Sequence, residues 1–210
     1  HRVAVRGLAV TSDEAFATPL GPVPIDREAL ASLEDLPQVV TSDAAHALEH
    51  SLEVQLPFLQ KTLGTFSLVP FAVGAASVAE VAQVIERLWG GPETLIVISS
   101  DLSHYHAYDE ARRIDGNTIS RIAGFATDLD HEEACGATPL NGFLSLAKKK
   151  NLSLKLLAAG NSGDTAGGRD RVVGYSAFGL YEGGEPSLDE AGRALIALAR
   201  NAIESSAFET

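Results

Sequence analysis

The sequence predicts an α/β fold, in which helices cover the faces of a β-sheet. Short apolar runs rich in β-branched residues alternate with segments whose apolar residues recur every three or four positions, and this alternation is typical of the class. The chain has 210 residues, of which 45% are hydrophobic and 21% charged. That length and composition suit one sizeable globular domain with its own core.

The apolar runs predict the strands. The first two are short and precede a turn-rich excursion, TPLGPVPID, at 18–26. The later ones are longer and denser in Val, Ile, Leu and Phe, as strands of a buried sheet are. The predicted strands are RVAVRG (2–7), LAVTS (8–12), FSLVPFAVG (66–74), TLIVISS (94–100), LSLKLLAAG (152–160) and RVVGYSAFGLY (171–181).

Helical periodicity marks three segments between these strands. The first opens on Ser77 with Glu80 three residues on, which is the signature of a capping box. The last ends in Lys148, Lys149 and Lys150, where positive charge complements the helix dipole. The predicted helices are SVAEVAQVIERLW (77–89), RRIDGNTISRIAGF (112–125) and GATPLNGFLSLAKKK (136–150).

A linker and a further helix follow the last strand. Residues 182–187 read EGGEPS, and the segment from Ser187 onward repeats the capping pattern with Glu190. Its apolar residues step by three and four, which predicts an amphipathic helix. The helix is either the start of another domain, at 188–210, or a terminal helix that docks on the first domain.

The net charge and the cysteine content limit the classes of binding partner and the cellular compartment that we expect. Sixteen basic and 28 acidic residues give a net charge of −12, which disfavours nucleic acid and anionic membranes. No apolar run approaches the roughly 20 residues of a membrane span. One cysteine excludes an internal disulfide and suits a cytoplasmic protein. Because the chain starts at His1 and lacks methionine, we expect part of its site to lie upstream.

The stretch AHALEHSLEVQLPFL, at 45–59, contains two histidines four residues apart. His46, Glu49 and His50 match the H-x-x-E-H pattern of inverted zinc peptidases. On a helix both imidazoles would share one face beside a glutamate base. His50 and Glu53 would share a face equally well. The segment is therefore a zinc-peptidase helix or a part of a different site.

The run SSDLSH follows the predicted strand 94–100. Ligands in open α/β sheets bind beyond the carboxyl ends of strands, and Asp101 and His104 lie at such an end. A carboxylate can orient an imidazole that then moves protons near neutral pH. The alternative is a capping aspartate followed by a surface histidine.

Cys135 immediately precedes a predicted helix that begins near Thr138. A helix N-terminus favours the thiolate form, so Cys135 is either a functional thiolate or a small core residue. The glycine-rich loop GNSGDTAGGRDR, at 160–171, lacks the Lys-Ser/Thr of a phosphate-binding P-loop and opens no predicted helix. We interpret it as a tight connection that lets the backbone approach the site.

Four ordered motifs resemble one known family. HSLEVQLPFLQ, SSDLSHY, ACGATPLNGFL and GNSGDTAGGRDRVVGYSAF resemble the Memo family (mediator of ErbB2-driven cell motility), over residues 1–181. SLDEAGRALIALARNAIESSAFE resembles the first helix of an AMMECR domain. These likenesses imply an N-terminally truncated Memo-like domain at 1–181, a linker at 182–187 and a truncated AMMECR-like domain at 188–210.

The resemblance implies a fold and a metal site. The family shares with class III extradiol dioxygenases the LigB-like fold, a three-layer αβα sandwich around a mixed sheet. By position in the motifs, His1 and Cys135 look like metal ligands, and a first histidine ligand would lie upstream of residue 1. Two histidines and a thiolate suit iron(II) or copper more than zinc, and the thiolate disfavours magnesium or calcium.

The same motifs imply catalytic and pocket residues. His104 looks like the acid–base histidine, with Asp101 orienting it. His50 and Glu53 are carried over as pocket residues, or as a hydrogen-bonded pair that holds a helix. Asp164 and Tyr175, in the last motif, are carried over as pocket residues as well.

Three functional hypotheses follow from these observations. The first is a metal-dependent, dioxygenase-like oxidoreductase that acts on an unknown small molecule or peptide. The second is a non-catalytic peptide- or protein-binding module that acts with a radical-SAM protein and an AMMECR domain, the partners that the family association implies. The third, which has the weakest support, is the zinc peptidase.

Overall fold

A computed structural model describes residues 3–165 and 167–183 and has a mixed α/β architecture. The described strands are β1 (Leu8–Val10), β2 (Ala15–Phe16), β3 (Val23–Pro24), β4 (Val39–Thr41), β5 (Ala72–Val73), β6 (His104–His106), β7 (Ser153–Asn161) and β8 (Val172–Tyr181). The described helices are α1 (Arg27–Ala31), α2 (Asp43–His46), α3 (Leu56–Leu63), α4 (Val78–Arg87), α5 (Tyr108–Ala123) and α6 (Ala137–Lys149). His1 and residues 184–210, including the predicted C-terminal helix, lie outside the described residues.

The described strands form three sheets. In the first, β1 is central, parallel to β4 and antiparallel to β5. The second is the β2–β3 pair. In the third, β8 lies between β6 and β7, and both pairings are antiparallel. The α/β class predicted from the sequence is therefore confirmed.

The three helices predicted from periodicity are all present. Helix α4 begins after Ser77, and the Ser77–Glu80 capping box forms in both directions. Helix α5 starts four residues earlier than predicted, at Tyr108, and α6 spans Ala137–Lys149. Helices α4 and α6 pack against each other, and α5 packs on β7 and β8. Local sequence signals were sufficient for these elements.

Two of the predicted strands are much shorter than expected. Within 66–74 the strand is Ala72–Val73, and Leu68 forms only an isolated bridge to Ile25, because Pro70 between them has no N–H to donate to a ladder. Within 3–7 only Arg6 forms a bridge, to Ala75. Gly7 has a φ of 94° and its Cα faces the Gln38 carbonyl, so the backbone turns there instead of continuing as a strand.

The predicted strand 94–100 is not a strand. Its residues pair with no described strand, and the side chains of Leu95 and Val97 are 60% and 46% exposed. Ile96 and Ile98 line a cavity of about 690 Å³ beside α6 and β8. The prediction was wrong because apolar content indicates burial, whereas a strand also needs a partner for its backbone.

Candidate functional site

Three of the predicted site residues, His104, Asp164 and Tyr175, lie at one end of the β6–β8–β7 sheet. Strand register sets His104 opposite Val173, and Gly174 opposite Asn161. Tyr175 follows Gly174 on β8, and a short 3-10 helix after β7 ends at Asp164. Strands β6 and β8 and the loop after β7 therefore meet here.

Asp101 and His104 approach each other closely. Their Oδ2 and Nε2 atoms are 3.5 Å apart, and the two side chains are 47% and 32% exposed. This separation exceeds that of an ordinary hydrogen bond, so the contact is electrostatic. It lets the carboxylate orient a ring that solvent and a ligand can still reach.

Cys135 is tied to the same segment through its backbone and its sulfur. The Asp101 N–H donates to Sγ at 3.2 Å, and the Cys135 N–H donates to the Asp101 carbonyl at 3.2 Å. The Ser100 hydroxyl lies 3.6 Å from Sγ and accepts the Gly136 N–H at 2.9 Å. Because Cys135 is exposed, the alternative of a small core residue does not hold.

Gly136 makes that approach possible. A Cβ at this position would lie 2.8 Å from the Ser100 Cβ and 2.9 Å from the Ser99 carbonyl oxygen. Any side chain would therefore push the start of α6 away from the segment that carries Asp101. Ser100, which sequence reasoning did not single out, supplies the hydroxyl that links the two segments.

Tyr175 is electrostatically coupled to this cluster. Partial burial, and after it the negative charge of Asp101, raise the pKa of the Tyr175 phenol above its ordinary value of 10.0. The phenol is therefore protonated at neutral pH and can donate a hydrogen bond. The side chain is still 45% exposed, which leaves the hydroxyl accessible to a ligand.

Asp164 is engaged in holding its own loop. It accepts the Tyr108 hydroxyl at 2.5 Å and the Asn161 N–H at 2.8 Å. The Tyr108 hydrogen bond is the main cause that lowers the pKa of the Asp164 carboxyl, and the same bond raises the pKa of Tyr108. Sequence reasoning missed Tyr108, whose partner is 56 residues away along the chain.

His50 and Glu53 form a pair, but the structure gives no contact between that pair and Cys135 or His104. The His50 Nδ1 and Glu53 Oε1 atoms are 2.7 Å apart, and both side chains are more than half exposed. The segment is joined to the site by Gln55, whose amide donates to the Ser99 hydroxyl at 3.0 Å. Gln55 is thus a further residue beside the predicted ones.

The zinc-peptidase pattern lacks the helix that it requires. Helix α2 ends at His46, and residues 51–55 form turns. The His46 Nε2 atom lies 2.9 Å from the Ala9 carbonyl oxygen, and its ring meets Phe16 edge-on. His46 therefore faces β1, while His50 pairs with Glu53.

The described residues contain no group of three His, Cys, Asp or Glu side chains arranged to hold a metal ion. Cys135 is the one predicted metal ligand among them, since His1 lies outside residues 3–165 and 167–183.

No described helix is long and apolar enough to cross a membrane.

Comparison with known proteins gives the same family from a family model and from individual relatives. Residues 1–178 match the family model described as Memo-like protein. A MEMO1 family protein of Thermoplasma volcanium is 33% identical over 190 residues, which cover 85% of this chain and 70% of that protein. One from Methanosarcina mazei is 34% identical, with coverage of 80% and 67%. One from Sulfolobus acidocaldarius is 37% identical, with coverage of 76% and 61%. The chain thus spans about two thirds of the length of these relatives.

Proposed function

Because the chain belongs to the Memo-like protein family, we propose that it is a metal-dependent oxidoreductase acting on a small molecule or peptide. His1 and Cys135 are its metal ligands, and His104 is its proton-transfer group. One observation carries the proposal: the residue that donates to the Cys135 sulfur, Asp101, also has its carboxylate 3.5 Å from His104. A thiol ligand and a proton-transfer group therefore share one connecting residue.

The donor chemistry fits a soft transition ion. The Asp101 N–H donates to the Cys135 sulfur at 3.2 Å, as backbone donors to a metal-bound thiolate do. A thiolate with imidazole suits iron(II) or copper better than zinc, magnesium or calcium. Such an ion would supply Lewis-acid and one-electron chemistry at this position.

The surrounding side chains have separate roles. His104 is the proton-transfer group, and Asp101 sets the orientation of its ring. The Tyr175 phenol is protonated at neutral pH, and burial and then Asp101 raise its pKa further above the ordinary value of 10.0. It donates a hydrogen bond to a bound ligand. His50 and Glu53 contribute to the outer wall of the pocket, and Asp164 shapes the loop beyond β7.

Bound metal in the full chain tests this proposal. Elemental analysis of the purified wild type is expected to find iron or copper, and both Cys135→Ser and His1→Ala should lower that content more than about tenfold. His46→Ala is the matched control, because His46 faces the Ala9 carbonyl, and it should retain the metal. A metal-free wild type, or undiminished metal in Cys135→Ser, would rule out the ligand assignment.

We also infer the larger organisation of the molecule. The three sheets belong to a LigB-like three-layer αβα sandwich, and residues 188–210 open an AMMECR-like domain that acts with a radical-SAM protein. The packing of α4 on α6, and of α5 on the opposite sheet β7–β8, supports helical layers around strands.

A second candidate is a non-catalytic binding module. It is favoured by the exposure of the His50–Glu53 pair, which leaves both side chains accessible to a partner. The same metal analysis separates the two functions, because the module requires no metal at Cys135.

A further inference from the structure

Asp115 is a buried carboxylate that the proposed chemistry does not use. It lies within helix α5 and is 6% exposed, and no described lysine, arginine or histidine forms a salt bridge with it. Burying an ionised carboxylate is costly unless its oxygens accept hydrogen bonds. The presence of a carboxylate at this buried position therefore needs an explanation other than packing.

The carboxylate binds the backbone immediately before His104. The Ser103 N–H donates to the Asp115 Oδ1 at 2.9 Å, and this bond is fully buried. Ser103 also pairs with β8, because its carbonyl accepts the Gly174 N–H at 2.9 Å. Asp115 thus holds Ser103, the residue immediately before His104, in its paired position beside β8.

Gly174 is shaped to accommodate this carboxylate. A Cβ on Gly174 would lie 2.0 Å from the Asp115 Oδ2, so any side chain there would displace the Asp115 carboxylate. Tyr175 is the next residue on the same strand. The contact therefore sets the position of a second pocket side chain.

Two buried donors without partners lie near the same point. The hydroxyl of Ser103 and the amide nitrogen of Asn161 are buried and make no hydrogen bond. Asn161 is opposite Gly174 in the β7–β8 register, so its side chain lies on the face of the sheet that meets Asp115.

Helix α5 holds the second site loop as well. Tyr108, which binds Asp164, lies seven residues before Asp115, so two helical turns bring both onto one face. We propose that Asp115 is a positioning residue, which fixes the position of His104 by accepting the Ser103 N–H. Because Tyr108 on the same helix binds Asp164, α5 holds His104 and the loop after β7 in fixed positions relative to each other. The inference rests on the proposed role of His104.

NMR of the folded full chain tests this inference without metal or substrate. In Asp115→Ala the Ser103 amide should exchange with solvent about tenfold faster or more, since its acceptor is gone, and the His104 ring signals should shift. Asp115→Asn keeps an acceptor oxygen and should restore both readouts toward wild type. Thr118→Val is the control, because Thr118 is buried on the same helix and bonds only the Ile114 carbonyl.

A second variant covers the case in which Asp115→Ala does not fold. Gly174→Ala drives a methyl group into the carboxylate and should produce the same changes at Ser103 and His104. Signals in either folded variant that match those of Thr118→Val would overturn the proposal. An unprotected Ser103 amide in the wild type would overturn it without any variant. None of these readouts depends on bound metal, so failure here and failure of the metal assignment are distinguishable.

Discussion

At the residue scale, the Tyr108–Asp164 hydrogen bond links the start of α5 to the end of β7. The bond lowers the pKa of Asp164 below 3.8 and raises that of Tyr108 above 10.0. It therefore joins an ionised carboxylate to a protonated phenol over the whole neutral range. The pair therefore ties the loop after β7 to the first turn of α5.

Tyr108→Phe is expected to return the Asp164 pKa toward 3.8, because the phenol is the main cause of its depression. A depressed carboxyl pKa stabilises the fold above its unfolded value, and this stability is lost as the pH falls through the folded value. The raised Tyr108 pKa stabilises the fold below about pH 10, and this is lost above it.

The stability difference between wild type and Tyr108→Phe should accordingly be largest between about pH 4 and pH 10. Urea unfolding at a series of pH values, with a carbon-13 titration of Asp164, measures it. Tyr105→Phe serves as the control, since Tyr105 is 64% exposed and its ring contact with Arg171 survives the change. A pH-independent difference would contradict this account.

At the element scale, helices α4 and α6 approach closely because Gly142 has no side chain. A Cβ there would lie 2.4 Å from both the Cβ and the Cγ1 of Val81, which is itself buried. Interiors are packed too densely to absorb such an overlap without strain. The contact therefore sets the spacing of the two helices.

Gly142→Ala is expected to lower the free energy of unfolding by about 1–3 kcal/mol through overpacking. Gly116→Ala, on the exposed side of α5 with nothing within 4 Å of its Cβ, should instead raise it by about 0.5–1 kcal/mol. Chemical denaturation of both variants gives the comparison. Equal effects of the two alanines would show that helix propensity, not contact, decides the outcome.

The features that the sequence predicted correctly are formed by contacts between residues a few positions apart in the chain. The Ser77–Glu80 capping box and the His50–Glu53 pair each involve residues three apart. Contacts such as Tyr108–Asp164 and Ser103–Asp115 depend on how strands and helices pack, and no local pattern indicates them. The cluster of Asp101, His104 and Cys135 was predicted from family motifs, not from spacing alone.

At the scale of the whole molecule, residues 94–100 follow α4 in the chain, and Ile96 and Ile98 line the cavity of about 690 Å³. The segment carries the apolar pattern of a strand, yet pairs with no strand in the described part of the chain. We expect amides 95–99 to exchange with deuterium much faster than those of β7 and β8, which pair along most of their length. Mass spectrometry of deuterated peptides measures this, and slow exchange at 95–99 would show that the segment is paired as a strand.

The single cysteine of the chain lies exposed at the candidate site. A nitroxide or a fluorophore attached through a maleimide would therefore enter at one known position, with no other thiol to remove by mutation first. The reporter would sit beside Asp101, at the junction of α6 and the segment before β6. The molecule thus offers a natural attachment point from which movements of its pocket can be followed.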